Sequence, residues 1–320
     1  MAHIKKDLET NLLDLQKLVG VNHKNIKWIE EKYQVSINID GHTLSIMGER
    51  NTDKALELVM FCLKVLPWYE ELEDSDLVIL SDVIAKSQQE RFIDSMGEVL
   101  VRTFTGKPIK ARTLGQKHFI DTIKSNDLSF AIGPAGTGKT FLAVSYAVSL
   151  LKEGKIKRII LTRPAVESGE HLGFLPGDLK EKVDPYLRPI YDALDTLLSP
   201  ERVARYIEQG TIEIAPLAYM RGRTLDDAVV ILDEAQNTTK SQMLMFLSRL
   251  GAKGKMIVNG DVDQIDLLKK QESGLVIAEK YLQNIHGIAF VTLTYSDIVR
   301  HPLVTKILKA FAQGESFHES

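Results

Sequence analysis

The sequence has very little cysteine and no long apolar run. Cys62 is its single cysteine, so a disulfide within the chain is impossible, and a reducing compartment such as the cytoplasm is expected. Because Cys62 stands in the apolar stretch LELVMFCLKVL, we expect it to be a small core residue. No run approaches the roughly 18 apolar residues that would cross a bilayer, and the polar start MAHIKKDLET does not resemble a signal peptide. These absences predict a cytoplasmic protein without a membrane segment.

An excess of charge of either sign is also missing. Lys and Arg number 40 against 43 Asp and Glu, which leaves a formal net charge of -3. Such a chain has no overall attraction for nucleic acid, so any contact with RNA or DNA would need a local basic patch. What the sequence does have is 44% hydrophobic residues over 320 positions, enough to build the cores of two domains.

Residues 1–70 show the pattern of a small α+β domain. Apolar residues at helical spacing predict a first helix that begins near Ile4 and a second helix around Ile26. The alternating stretches VSINI and TLSIM predict two strands that form a hairpin around the turn Asp40-Gly41-His42. A closing helix is predicted over 52–66.

This order of elements, with LVGVNHKNIKWIEEKYQVSINI through its middle, resembles a KH-type RNA-binding domain. That family grips the nucleic-acid backbone through a GXXG loop. The matching tetrapeptide here runs from Gly20 to His23, and His23 replaces the second glycine. A side chain at that position opposes the close approach of a nucleic-acid backbone. Two interpretations therefore stay open: an RNA-binding domain, or a KH-like module used for packing or for partner contacts.

Residues 71–110 have the composition of a connector. EELEDSD is an acidic run typical of a solvated surface, LVILSDVIAKSQQERF suggests a strand followed by a helix, and TGKPIKART has the content of an exposed loop. From 111 to 320, apolar strands alternate with helices. This pattern predicts a parallel sheet covered on both faces, which is the α/β class.

The stretch GPAGTGKT matches the P-loop pattern G-x-x-x-x-G-K-[ST] at every fixed position. A predicted strand precedes it and the apolar helix FLAVSYAVSLL follows it, which is the context that the motif requires. The N–H groups of such a loop bind phosphate oxygens, its lysine reaches the β and γ phosphates, and the next hydroxyl ligates Mg²⁺. We therefore predict a catalytic role for Lys139 and metal ligation for Thr140. The predicted nucleotide-binding residues are Gly133, Pro134, Ala135, Gly136, Thr137, Gly138, Lys139 and Thr140.

A second motif, VVILDEAQN, places two carboxylates directly after an apolar strand. Asp233, at the carboxyl end of that strand, is the expected second ligand of Mg²⁺. Glu234 is the expected catalytic residue that orients or deprotonates the attacking water. Together the two motifs predict Mg²⁺-dependent hydrolysis of a nucleoside triphosphate.

Three further polar side chains are candidates for nucleotide contacts. In MIVNGDVDQ, Asn259 and the catalytic candidate Gln264 would face the γ-phosphate and sense its presence. Gln116, upstream of the P-loop in ARTLGQ, has an amide that can pair with adenine N6 and N7, which would select ATP over GTP. Because an isolated glutamine is more often a surface residue, that alternative stays open.

DEAQ followed by GDxxQ, with a glutamine upstream of the P-loop, resembles the first motor domain of superfamily 1 helicases. The closer resemblance is to the PhoH-like ATPase family. It is carried by LTRPAVESGEHLGFLPGDLKEKVDPYLRPIYDAL, YMRGRTLDDAVVILDEAQN and SDIVRHPLV. This resemblance implies a RecA-like P-loop NTPase domain over 111–320 and a cytoplasmic ATPase linked to RNA metabolism. It also implies a link to an rRNA-processing endoribonuclease and assembly into a ring-shaped homohexamer.

A superfamily 1 helicase closes ATP between two RecA-like domains, and the second domain supplies an arginine finger. Too few residues follow Gln264 for a second such domain, so we expect a neighbouring subunit to complete the site, or slow hydrolysis that serves as a switch. A finger acting in trans contributes about 10³–10⁵ in rate. Arg300 is the first candidate, followed by Arg221 and Arg223. Each of them could instead contact an RNA phosphate or form a surface salt bridge.

The sequence thus predicts an enzyme that uses ATP and Mg²⁺ and binds or remodels RNA. The alternative is a nucleotide-dependent module that recruits a ribonuclease or a ribosome factor without helicase activity. A kinase is a third alternative, although no dedicated acceptor site is visible in the sequence.

Overall fold

The computed structural model of the chain describes residues 2–164, 187–267 and 272–299, together with Val304 and Ile307. The chain contains two compact units: the first comprises Met1–Gly97 together with the described residues from Val299 onward, and the second comprises Glu98–Ile298. The boundary at Gly97 falls within the segment 71–110 that the sequence pattern assigns to a connector. Within the described ranges, no helix is both long and apolar enough to cross a membrane.

The first unit is built on a three-stranded antiparallel sheet in which the third strand lies between the first and the second. Its elements are β1 (Ala2–Asp7), α1 (Leu12–Val19), α2 (Lys24–Tyr33), β2 (Val35–Asp40), β3 (Thr43–Gly48), α3 (Thr52–Val65), α4 (Asp74–Ala85) and α5 (Gln89–Ser95). The predicted hairpin is confirmed, since Asp40 pairs with Thr43 and Gly41 takes the positive φ of 59° that the turn needs.

The structure corrects the predicted first helix. Ile4 belongs to β1, which pairs with β3 along its whole length, and the helix begins only at Leu12. Asn11 caps it, because its side-chain oxygen accepts the N–H of Asp14 at 2.8 Å. Ile4 and Leu8 have the spacing of a helix, but residues 2–7 form a strand because they hydrogen-bond to β3.

A second correction concerns LVILSDVIAKSQQERF. The sequence pattern assigns its apolar start to a strand, but this stretch lies inside α4. A capping box starts this helix just upstream: the side chain of Asp76 accepts the N–H of Glu73 at 2.9 Å. Leu77 and Leu80, three positions apart, are then fully buried on one face of the helix.

Cys62 is confirmed as a core residue of α3. It is fully buried, and desolvation raises the pKa of its thiol to about 12. A thiol with so high a pKa carries almost no thiolate at neutral pH, so Cys62 is chemically inert.

The tetrapeptide from Gly20 to His23 forms a tight turn between α1 and α2. Gly20 has a φ of 72°, and a Cβ placed on it would lie 2.7 Å from Nδ2 of Asn25. That amide donates to the carbonyl of Lys17 at 3.1 Å and so fixes the turn. His23 adopts a left-handed conformation with a φ of 61°, where glycine would fit more readily. RNA binding through this turn stays a prediction.

The second unit carries the P-loop. Its elements are β4 (Val101–Arg102), β5 (Pro108–Ile109), α6 (Leu114–Ser125), β6 (Leu128–Ile132), α7 (Lys139–Lys152), β7 (Arg158–Arg163), α8 (Arg188–Leu198), α9 (Pro200–Glu208), β8 (Ile212–Pro216), β9 (Ala228–Leu232), α10 (Lys240–Leu247), β10 (Lys255–Gly260), α11 (Gly274–Leu282) and β11 (Ile288–Thr292).

Six of these strands form one parallel sheet in the order β11-β6-β10-β9-β7-β8. β10 therefore separates β6, which leads into the P-loop, from β9, which leads into DEAQN. Side chains alternate between two buried faces: Phe130 and Val258 belong to one core, and Ala131 and Ile257 to the other. The predicted fold is confirmed as an α/β, RecA-like P-loop arrangement preceded by a small α+β unit.

Candidate active site

The P-loop connects β6 to α7 at the carboxyl edge of the sheet. Gly136 and Gly138 have φ values of 85° and 84°, which glycine adopts at least cost. Gly133 donates its N–H to the carbonyl of Gly260 at 3.1 Å, and a Cβ placed on it would lie 2.3 Å from the carbonyl oxygen of Leu293. The glycines of the motif are thus required by the turn and by close backbone contacts on both neighbouring strands.

The other loop residues are held by hydrogen bonds. Ala135 donates its N–H to Oδ2 of Asp261 at 3.1 Å, and the hydroxyl of Thr137 donates to the carbonyl of Pro134 at 3.0 Å. Burial raises the pKa of Asp261, and the N–H groups of Asp263 and Ala135 act in the opposite direction. Asp261 was not a sequence candidate, although it lies within the MIVNGDVDQ motif.

Lys139 is the first residue of α7, and its ammonium group folds back into the loop. Nζ donates to the carbonyl oxygens of Gly133 at 2.5 Å and Pro134 at 2.9 Å. Burial lowers the pKa of Lys139, and the carboxylates of Asp261, Asp233 and Glu234 oppose this. The cation therefore lies on the inner side of the loop, in a region of converging negative charge.

The hydroxyl of Thr140 donates to Oδ1 of Asp233 at 2.7 Å. Thr140 lies at the start of α7 and Asp233 directly follows β9, so the sheet brings together two motifs that are far apart in the sequence. Burial raises the pKa of Asp233, and the bond from Thr140 acts in the opposite direction. A hydroxyl and a carboxylate side by side are hard oxygen donors of the kind that Mg²⁺ prefers.

Glu234 follows directly and has a left-handed backbone with a φ of 53°. Its Oε1 lies 3.0 Å from Nη2 of Arg163, and its Oε2 accepts Nε2 of Gln236 at 2.6 Å. Sequence reasoning missed both partners. Arg163 is the last residue of β7, the strand next to β9, and only the strand order reveals that it lies beside Glu234.

Gln236 links the second and third motifs. It is fully buried; its Oε1 accepts the N–H of Asp261 at 3.1 Å, and its Nε2 also donates to the carbonyl of Gln264 at 3.1 Å. The Gln264 side chain itself is exposed. Asn259 is fully buried in β10, and neither of its amide atoms has a hydrogen-bond partner within the described part of the chain. Sensing of the γ-phosphate by Asn259 and Gln264 stays a prediction.

Gln116 lies in the first turn of α6 and is only 4% exposed. Its Nε2 donates to the carbonyl of Thr137 at 3.0 Å, and its Oε1 accepts the N–H of Arg112 at 2.8 Å. Both ends of the amide therefore contact the chain itself, one of them within the P-loop. Pairing with adenine stays a prediction, and the observed contacts connect the start of α6 to the P-loop.

The three arginine candidates differ in their surroundings. Arg223 forms a bidentate ion pair with Glu213, in which Nη1 and Nη2 donate to Oε1 and Oε2 at 2.6 and 2.7 Å. This ion pair raises the pKa of the Arg223 guanidinium. Arg223 thus matches the salt-bridge alternative. Arg221 is exposed, and Arg300 lies outside the described residues.

Comparisons with known proteins identify the family of this chain. The sequence profile described as PhoH-like protein matches residues 108–312. The PhoH-like protein of Bacillus subtilis is 50% identical over 295 residues, covering 92% of this chain and 92% of that protein. The PhoH-like protein of Synechocystis sp. is 45% identical over 303 residues, covering 93% and 92%.

Among solved structures, the UvsW helicase from Bacteriophage T4 aligns with 65% of this chain and 67% of its own, at 9% identity and a TM-score of 0.37. A score this low carries no argument about function. The profile match and the identity across nearly the whole chain show the family instead. They confirm the predicted resemblance, and the chain belongs to the PhoH-like protein family.

Proposed function

We propose that this protein is a Mg²⁺-dependent ATPase that hydrolyses ATP to ADP and phosphate and couples the cycle to RNA. The observation that carries the proposal is the 2.7 Å hydrogen bond between Thr140 and Asp233. It joins the P-loop, which is suited to bind phosphates, to the motif that supplies a second metal ligand and a water-activating carboxylate.

Each candidate residue has a role in this proposal. The loop N–H groups and the Lys139 ammonium bind the β and γ phosphates, while Thr140 and Asp233 hold Mg²⁺. The metal, when bound, neutralises charge on the phosphate oxygens. Glu234 accepts a hydrogen bond from the attacking water and takes its proton. Arg300 of a neighbouring subunit would stabilise the charge that develops in the transition state.

One carboxylate and one hydroxyl are enough protein ligands for this metal. Mg²⁺ is usually held by one or two carboxylates together with substrate phosphates and waters. Within the described ranges there is no cluster of three or more His, Cys, Asp or Glu side chains that could hold a metal without a substrate. This donor set therefore favours Mg²⁺ that arrives together with ATP.

Membership of the PhoH-like family and the KH-like N-terminal unit support the coupling to RNA. On the same grounds we propose a cytoplasmic location, a homohexameric ring and an rRNA-processing endoribonuclease as a partner. The alternative is a module that recruits a ribonuclease or a ribosome factor in a nucleotide-dependent way without moving RNA.

The central test compares ATP binding and phosphate release by the wild-type protein and Lys139→Ala. Removing this charged donor should weaken ATP binding by about 10- to 100-fold and abolish turnover. The control is Lys157→Ala, which removes a lysine whose side chain is 79% exposed and should leave both quantities unchanged. Full turnover by Lys139→Ala would refute the assignment of the loop.

RNA coupling is tested by adding single-stranded RNA to the same assay. The motor proposal expects the rate of phosphate release to rise several-fold, because RNA would stabilise the hydrolysing conformation. An unchanged rate, with RNA or nuclease binding that still depends on ATP, would favour the recruitment module.

A further inference from the structure

The side chain and the backbone N–H of Gln116 make three hydrogen bonds at the start of α6, all of them to other residues of the chain. Its side chain donates to Thr137 at 3.0 Å and accepts from Arg112 at 2.8 Å, and its backbone N–H donates to the hydroxyl of Thr113 at 3.1 Å. The Thr137 carbonyl lies in the middle of the P-loop. The Gln116 side chain thus connects helix α6 to the P-loop by a hydrogen bond.

The hydroxyl of Thr113 connects the start of α6 to the last residues of the second unit. It donates to Oδ1 of Asp297 at 2.6 Å. Asp297 is only 6% exposed, and its Oδ2 accepts the N–H and the hydroxyl of Thr294 at 2.9 and 3.2 Å. Each member of the series Gln116, Thr113 and Asp297 is therefore buried and orients the next one.

The packing around Asp297 is close enough to require glycine. A Cβ added to Gly115 would lie 2.4 Å from Oδ1 of Asp297. The same segment supports the P-loop at a second point, because Leu293, just after β11, lies against Gly133 and donates its N–H to Ile132 at 2.8 Å. Leu293 thus contacts the loop directly, and Asp297, four residues later, packs against the start of α6.

We propose that Gln116, Thr113 and Asp297 form a buried relay that fixes the Thr137 carbonyl and that contributes to triphosphate binding without selecting the base. The Thr137 carbonyl and the Gly138 N–H belong to one planar peptide unit, so holding the carbonyl also fixes the direction of that N–H. Loop N–H groups of this kind bind phosphate oxygens. Gln116 is therefore a positioning residue. The relay rests on the proposed nucleotide binding by the P-loop.

The test measures the binding of Mg²⁺ complexes of ATP, GTP and tripolyphosphate, the last of which has no base. Gln116→Met and Thr113→Val each remove hydrogen bonds of the relay. Both should weaken the binding of all three ligands to the same extent, by about five- to tenfold. Thr113→Ser keeps the hydroxyl and should bind like the wild type. Gly115→Ala, which displaces the Asp297 carboxylate, should resemble Thr113→Val.

The control is Asn11→Ala, which removes the side-chain N-cap of α1 in the other unit and should leave binding unchanged. Thermal unfolding of each variant separates lost binding from lost folding, and the Val and Ser variants at position 113 decide the question if Gln116→Met unfolds. A loss confined to ATP would overturn the relay and assign Gln116 to adenine. Unchanged binding of all three ligands would overturn it as well. Failure of the wild-type protein to bind any of them would instead overturn the proposed function, and the relay with it.

Discussion

Glu234 is the side chain proposed to act on the attacking water, and its carboxylate is held from two sides. Arg163 contacts one oxygen and Gln236 the other, at 3.0 and 2.6 Å. Its backbone is left-handed, with a φ of 53°. A general base must be held within reach of its proton, and these two contacts restrict the carboxylate to one orientation.

Glu234→Gln should keep ATP binding and lose turnover by about 10²- to 10⁴-fold, because the water loses its base while Thr140 and Asp233 remain. Binding and phosphate release are measured on the same sample. Glu208→Gln, a change at an exposed position, is the control and should behave like the wild type. Near-normal turnover of Glu234→Gln would place the base elsewhere.

Asn259 offers a test in which stability and activity move in opposite directions. Its amide is buried without a partner in the described part of the chain, a state that costs about 1–3 kcal/mol. Asn259→Leu has the same branched shape and should raise the melting temperature while lowering turnover, if the amide serves the nucleotide.

The matched variant for this test is Asn25→Leu. Asn25 is equally buried, but its Nδ2 donates to Lys17 at 3.1 Å, so its replacement should destabilise the protein. If Asn259→Leu also lowers the melting temperature, the amide of Asn259 contributes to folding and the functional interpretation fails.

At the scale of elements, β11 is an edge strand that pairs only with β6 within the six-stranded sheet. The rings of Phe290 on β11 and Phe130 on β6 stack with centroids 4.3 Å apart and an interplanar angle of 7°. β11 leads directly to Leu293 and Asp297, which support the P-loop. The packing of β11 against β6 therefore affects the position of the P-loop as well as the stability of the sheet.

Phe290→Ala should lower the free energy of unfolding of the second unit by about 1–3 kcal/mol, because it removes a half-buried ring and its stacking partner contact. Chemical denaturation checks this value. The control is Tyr281→Ala, which truncates an aromatic side chain that is 64% exposed and should cost about 0.5 kcal/mol or less. Equal losses for both variants would contradict a specific role of the stack.

At the scale of the whole molecule, the proposed arginine finger predicts a site shared between subunits. If Arg300 reaches a neighbouring subunit, Arg300→Ala protein should bind ATP and hydrolyse it poorly, because the finger stabilises the transition state more than the ground state. Glu234→Gln protein lacks the base but keeps its finger. Mixed subunits should regain activity, since some interfaces then pair an intact Glu234 with an intact Arg300.

Light scattering with and without ATP gives the size of the assembly, and labelled subunits verify that exchange has taken place. Recovery of a substantial fraction of the wild-type phosphate release supports a shared site. If phosphate release does not recover although subunits have exchanged, the proposal of a trans-acting finger is wrong, and slow hydrolysis that serves as a switch is favoured.

The sequence by itself determined the local features of this protein. The GPAGTGKT loop and its flanking strand and helix follow from residue types at fixed spacing, as do the DEAQN strand and the Asp40-Gly41-His42 hairpin. Glycines, capping residues and apolar periodicity act over a few positions, so a short stretch of sequence is enough to predict these elements. The same local signal failed at Ile4, because the partner of that strand, β3, lies about 40 residues further on.

Only the tertiary structure decided which distant side chains meet. Arg163 contacts Glu234 because β7 lies next to β9, and Thr113 contacts Asp297 across 184 positions of sequence. Gln116 has the spacing of an adenine-reading residue, yet its amide contacts Thr137 once α6 packs beside the P-loop. Such contacts depend on strand order and helix packing, which fix the neighbours of a side chain in space and leave no trace in its local sequence.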